Sequence, residues 1–306
     1  MINSSVKPSK RETAIRIAAG DRVFYFTINV LMGLFMLIVL IPLLYIVASS
    51  FSAPEAVSGG RVFLWPVSPT LEGYQKIFEN ALIGTAYLNT FFYTIAGTLI
   101  NIGMTMIAAY PLARRNLPYK GVVMFLFTFT MLFSGGIIPN YMLMLKLNLL
   151  NTRWAMLLPT AISVYNMIIA RTFIQNIPTE LEEAASIDGC SDTQIFIRII
   201  LPLSTTLLSV LTLYYAVAHW NAYFDAFLYL SDRKLYPLQI ILREVLIINS
   251  IQASDIVDDE TLAARQGMAD LLKFSLIIVS SLPVLVLYPF VKKYFLKGVM
   301  IGAIKG

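Results

Sequence analysis

The chain is poorly equipped for catalysis. Its 306 residues include one histidine, His219, and one cysteine, Cys190. A protein-built zinc site draws on several His, Cys or carboxylate ligands, so this inventory argues against one, and a lone cysteine excludes an intramolecular disulfide. There is no HExxH pair, no nucleophile motif with its base, and no pair of carboxylates within an apolar run. Gly298, Gly302 and Gly306 with Lys305 do not follow the GxxxxGK[ST] order that cradles a phosphate. What stands out is a carboxylate cluster, Glu182, Glu183, Asp188 and Asp192, in the stretch EEAASIDGCSDTQIFIRIILPL between two long apolar segments. Acids spaced among alanines in this way suit recognition of a basic partner surface better than turnover chemistry.

The elements that hold this cluster are set by composition. Hydrophobic residues make up 58% of the chain and charged ones 13%, with a mean hydropathy of +0.72. A soluble domain averages about 25% charged and 45–50% apolar residues. The expected class is therefore an all-α integral membrane protein. A spanning helix needs roughly 20 apolar residues, and six segments qualify: about 24–50, 86–113, 121–145, 154–170, 204–230 and 274–291. The fourth is short, and Gly135, Gly136 and Pro139 predict a break in the third. The basic tail of residues 1–23 precedes an apolar run too long for a cleaved signal peptide. With the N-terminus inside, 14 of the 23 lysines and arginines fall on the cytoplasmic side, which places both termini and residues 171–202 there. The net charge of +5 then marks orientation, not a nucleic-acid surface. Residues 51–85 read as a folded outer loop, and 231–273, with seven acids, as an external loop that is either simply solvated or a landing surface for a partner.

Within 171–202 the residues spell two short helices. Pro178 suits a helix start, and the acids of ELEEAASID lie near its positive end. Gly189 supplies a left-handed stop, and Ser191 with Gln194 forms a capping-box pair for the second helix. Leu181, Ala184, Ala185 and Ile187, followed by Ile195, Phe196 and Ile199, give an apolar face with small residues through which a partner could approach closely.

This segment resembles the permease subunits of ABC importers. Glu183, Ala184, Ala185, Gly189, Ile199, Leu201 and Pro202 reproduce the EAA-x3-G-x9-I-x-LP pattern at every fixed position. Ala109 to Arg114 (AYPLAR), Trp220-Asn221 and the ending KGVMIGAIKG are similar to the maltose-type carbohydrate importers, and Phe133 to Gly136 with Pro139 to the branch handling oligosaccharides and uronate oligosaccharides. The resemblance covers residues 20–306. It implies the type I importer permease fold, with 171–202 as a coupling loop (Glu182 and Asp188 included) that docks on an ATPase. It implies two cytoplasmic ATPase subunits that bind ATP and Mg, a second homologous permease and an extracellular solute-binding lipoprotein. No cofactor is expected in this chain, and in such relatives the C-terminal tail, here with Lys305, can reach the ATPases.

A transport path needs polar or aromatic side chains facing the bundle interior. The fifth span offers Thr212, Tyr214, Tyr215, His219, Trp220, Asn221, Tyr223 and Asp225. Asn221 and Asp225 are the leading candidates to meet a sugar, with Tyr214, Tyr215 and Trp220 supplying aromatic faces. Trp220 and Tyr223 fit an interfacial aromatic belt equally well, and His219 a helix contact. Asn89, Asn101 and Asn166 read as interhelical glue. Competing functions are a permease for another solute, such as an amino acid or glycerol phosphate, a stand-alone secondary transporter, for which the spans hold few internal charges, and a membrane enzyme.

Overall fold

The computed structural model describes residues 19–114, 116–254 and 265–286. These are mostly helical, with no strand among them. Helix α1 covers Ala19–Ser50, and a short segment with two small helices leads to α2, Leu82–Ala113. Helices α3 (Lys120–Leu132) and α4 (Ile137–Lys146) meet at 113°. After a helical turn and Pro159 come α5 (Val164–Gln175) and α6 (Thr179–Ile187). Helix α7 (Asp192–Leu203) contains a wider π-helical turn at Phe196–Ile200 and bends by 79° into α8, Thr205–Trp220. Helices α9 (Phe224–Tyr229), α10 (Leu238–Ser254) and α11 (Arg265–Val286) complete the described part.

Three of these helices are long and apolar enough to cross a membrane, or up to five if each bent pair counts as one span. The break in the third expected span falls at Gly136, which has φ +87°. Only glycine adopts that conformation without a Cβ penalty. The fourth expected span is not one helix: Pro159 has no N–H to donate, the chain unwinds around it, and helix resumes at Val164 behind a Ser163 cap.

Helix α2 is the axis of the fold, with α5 and α8 packed along it and α10 against its opening turns. Its inward face carries Asn89, Thr90, Thr94, Thr98, Asn101 and Thr105, all buried. Small polar residues let helices approach and bond to one another where lipid offers no partner. Helix α1, by contrast, exposes apolar side chains along nearly its whole length and is buried only at Ala48, Ser49 and Ser50.

The segment 231–273 departs from the loop expected of it. Leu238, Ile241, Leu242 and Val245 are buried, at the i, i+3, i+4, i+7 spacing of an apolar helix stripe, and pack with Ile83, Ala86, Trp220 and Leu276. The seven acids concealed this stripe in a reading led by charge. The acidic run Asp258, Asp259, Glu260 lies outside the described residues, as do Lys305 and the tails 1–18 and 287–306.

Candidate functional site

The acidic segment folds as two short helices joined at a sharp corner. Glu180 and Glu182 occupy the first turn of α6, where the unpaired N–H groups favour negative charge. Gly189 stops it at φ +82°, with the Cys190 N–H donating to Ala185 O (3.0 Å) and the Gly189 N–H to Ser186 O (3.1 Å). The capping box at α7 is present: Ser191 N–H donates to Gln194 Oε1 (2.8 Å) and Gln194 N–H to Ser191 Oγ (3.4 Å).

The apolar face of this segment is divided between two jobs. Ala185, Ile195 and Ile200 are buried in one cluster with Met106, Tyr110 and Ile174, so they root the loop in its own spans. Ile199 and Leu201 pack at the edge of that cluster, and Pro202 is exposed just before the bend. Leu181, Glu183, Ala184, Ile187, Asp188 and Gly189 face outward, Ile187 being 86% exposed. The uniform partner-facing surface expected of the alanines is thus corrected: Ala184 is available, Ala185 is not. The helix turns by about 100° per residue, so adjacent alanines cannot share a face.

Arg114, which closes the AYPLAR run, organises this corner. Arg114, at the end of α2, pairs through Nε with Glu182 Oε2 (3.1 Å) and through Nη1 with Asp192 Oδ1 (2.6 Å), one carboxylate from each side of the Gly189 turn. Its guanidinium also lies 4.7 Å from the Tyr110 ring centroid and donates to the Tyr110 hydroxyl. Tyr110 in turn packs against Phe196 of α7, centroids 5.0 Å apart. The Arg114 carbonyl accepts from Lys120 Nζ (2.8 Å). Burial works against the charge of Arg114, but the Asp192 hydrogen bond, Tyr110 and the two carboxylates outweigh it and push its pKa up. A groove of about 800 Å³ opens beside this clamp, lined by Arg114, Glu182, Glu183, Ile187 and the ends of α2 and α5.

A second cavity, of about 430 Å³, lies between α2, α5, α8 and α9. Tyr214, Tyr215, His219, Asn221, Tyr223 and Asp225 line it, as do four polar residues outside the fifth span, Asn101, Thr160, Ser163 and Asn166. No lysine or arginine is among its walls. Several lining side chains are already engaged. The Tyr215 hydroxyl bonds with Thr105 Oγ1 (2.7 Å), and His219 Nε2 with Asn101 Oδ1 (2.6 Å), while Asn101 Nδ2 donates to Thr160 O. Gly97 leaves room for the imidazole, since a Cβ there would overlap it. Asn221 donates to Val217 O (2.9 Å), and its residue remains exposed.

Trp220 does not join the cavity. It is 2% exposed, meets Phe91 edge-to-face (centroids 5.3 Å) and donates from Nε1 to Ser280 O (2.9 Å). Its place on the far side of α8 follows from the same rotation that turns Tyr214, Ala218 and Asn221 toward the cavity. Asn89 donates to Lys234 O (2.7 Å) and Tyr236 O (3.1 Å), pinning the connection before α10, whereas Asn166 lines the cavity. The cavity's second wall, Asn101 to Asn166, carried no signal in the sequence beyond polar residues in otherwise apolar runs.

Residues 15–257 match the family described as binding-protein-dependent transport system inner membrane component. This chain belongs to that family. The permease is 40% identical over 286 residues, 94% of its own length and 99% of the relative's, to the polygalacturonan/rhamnogalacturonan transport system permease protein YtcP of Bacillus subtilis (strain 168). It is 39% identical over 269 residues, 88% of its length and 90% of the relative's, to Protein LplC of the same organism. Among solved structures it is similar to a bacterial ABC transporter involved in the import of the acidic polysaccharide alginate, with a TM-score of 0.79 and 33% identity over 91% of this chain and 98% of that one. The permease is accordingly a multi-pass membrane protein of an inner-membrane ABC transport family, with long apolar helices to match.

Proposed function

We propose that the permease forms half of the translocation pathway of an ATP-driven importer for oligosaccharides, with acidic ones the leading class. Six spans with both termini cytoplasmic would put residues 171–202 inside, where the segment meets an ATPase subunit. A second, similar permease completes the cavity, two ATPase subunits bind and hydrolyse ATP with Mg, and an extracellular binding protein delivers cargo. This chain performs no bond chemistry of its own in that scheme. Its work is to dock, to bend and to present a changing cavity.

The observation that carries the reading is the division of the loop. One side, through Ala185, Ile195 and Ile200, is built into the spans, while Glu183 and Ile187 stand exposed at the lip of the 800 Å³ groove with Ala184 exposed beside them. A free apolar and acidic rim on a rooted corner suits a docking surface for a partner with basic and apolar residues. For cargo, Tyr214, Tyr223 and Phe224 offer aromatic faces to sugar C–H groups, and Asn166, Asn221 and Asp225 bond to hydroxyls. One relative is a polygalacturonan/rhamnogalacturonan transport permease, and the similar solved transporter is involved in import of the acidic polysaccharide alginate. With one carboxylate and no lysine or arginine lining its cavity, this half of the pathway reads hydroxyls, and cargo carboxylates would be met by the second permease.

The test is co-purification through a tag on this chain, expressed with its neighbouring genes, followed by ATPase assays in lipid nanodiscs. Recovery of a second permease and an ATPase is expected, with activity or assembly lost in Glu183→Ala and Gly189→Pro. Recovery of this chain alone, with both variants behaving as wild type, would overturn the reading.

A further inference from the structure

Two routes lead from the coupling corner to the cavity. The covalent route runs up α7 into α8, but it passes a π-helical turn at Phe196–Ile200 and a 79° bend at Ser204. Both features interrupt the straight helix axis between the corner and the cavity wall. The second route is not covalent. It crosses from both sides of the Gly189 turn to Arg114, and from there into α2, one helix from Leu82 to Ala113. Asn101, which lines the cavity and holds His219 and Thr160, lies on this same helix about 18 Å from Ala113 at 1.5 Å per residue.

We propose that Arg114 is the positioning residue through which movement of the docked loop is passed to α2 and so to the cavity wall. This rests on the coupling-loop reading above and adds the route. The two ion pairs make the corner and the end of α2 move as one body, because tilting α6 alone would break the Glu182 pair and tilting α7 alone the Asp192 pair. Tyr110 stiffens the joint, held under the guanidinium on one side and against Phe196 on the other. The pairs are not equal. The Asp192 pair is the shorter, hydrogen-bonded one, but its carboxylate is 77% exposed and screened by solvent, whereas Glu182, 21% exposed, sits at 3.1 Å as a charge contact, so neither pair alone carries the joint. Both Arg114 and Glu182 line the groove, so a partner seated there touches the joint directly.

The experiment measures cargo imported per ATP hydrolysed by the full transporter with its binding protein in proteoliposomes. Arg114→Gln is expected to lower that ratio fivefold or more, the low end of usual coupling between sites. Arg114→Lys, which keeps the charge but loses the fork that serves two carboxylates, should recover part of it. Glu182→Gln and Asp192→Asn should each lower the ratio, and neither should add to Arg114→Gln, since both remove the same joint. A purely structural role would lower yield and leave the ratio of the surviving transporter intact. If Arg114→Gln does not assemble, the Glu182→Gln/Asp192→Asn pair, which keeps the arginine on Tyr110, supplies the same readout. A wild-type ratio in the assembled Arg114→Gln transporter, or in that pair, overturns the proposal. Glu183→Ala separates the two readings: if it acts while the Arg114 variants are silent, the route alone fails, and if it too is silent, the coupling-loop reading fails with it.

Discussion

At the Ala113 end of α2 the polar contacts are ionic, while about 18 Å along the same helix, at Asn101, they join amide, carbonyl, hydroxyl and imidazole groups. Arg114 meets two carboxylates at the first place, and Asn101 meets His219 and a backbone carbonyl at the second. The difference follows the surroundings. Where water reaches, a guanidinium and two acids can be held together without a heavy desolvation cost. Among packed helices an ion costs roughly 2.5–3.5 kcal/mol on insertion scales, and neutral hydrogen bonds give fixed geometry without that cost. One end of α2 is built to move with its partner and the other to hold its shape.

The sharpest way to break this contrast is at Gly97. A Cβ there would overlap the His219 imidazole, and the rigid end has no slack to absorb it. Gly97→Val is expected to cost about 3 kcal/mol, the upper part of the usual overpacking range, read as a loss of thermal stability in detergent. His219→Ala in the same chain should return a large part of that loss. If Gly97→Val is as stable as wild type, the Asn101–His219 region is not the tightly packed joint described here.

A milder change tests what the cavity reads. Asp225→Asn keeps shape and removes charge from a wall that has no lysine or arginine to answer it. Loss of charge-assisted bonds to sugar hydroxyls should raise the apparent KM for import roughly tenfold, near the 1.4 kcal/mol lower end for such bonds. An unchanged KM would remove Asp225 from the cargo path.

How far the sequence discloses these features depends on the distance over which they are built. The Gly189 stop, the Ser191–Gln194 capping box and the break at Gly136 are legible because each is settled within a few residues by conformation or side-chain reach. The Arg114–Asp192 pair spans 78 residues, and the AYPLAR run that contains Arg114 gives no hint of its carboxylate partners. Helix rotation is hidden for the same reason. Ala184 and Ala185 look equivalent in the motif, as do Asn221 and Trp220 in their span, until packing on α2 decides which of each pair faces inward. Helix α10 was legible in principle from the spacing of Leu238, Ile241, Leu242 and Val245, but the acids of that segment weighed more heavily than the stripe.

Trp220 gives the smallest effect and the cleanest separation of stability from transport. An aromatic residue in a span beside Asn221 invites a role in stacking on sugar, yet its ring is 2% exposed against Phe91 and its N–H is spent on Ser280 O. Trp220→Phe retains much of the ring packing and deletes the donor, leaving a carbonyl of α11 without that bond. The expected cost is about 1 kcal/mol of stability, seen as a small drop in melting temperature, with the KM for import within about twofold of wild type because the residue touches no cavity wall. The opposite pattern, unchanged melting with a raised KM, would mean that Trp220 turns toward the cargo during the transport cycle, and the rigid end of α2 would then have to be redrawn as a moving one.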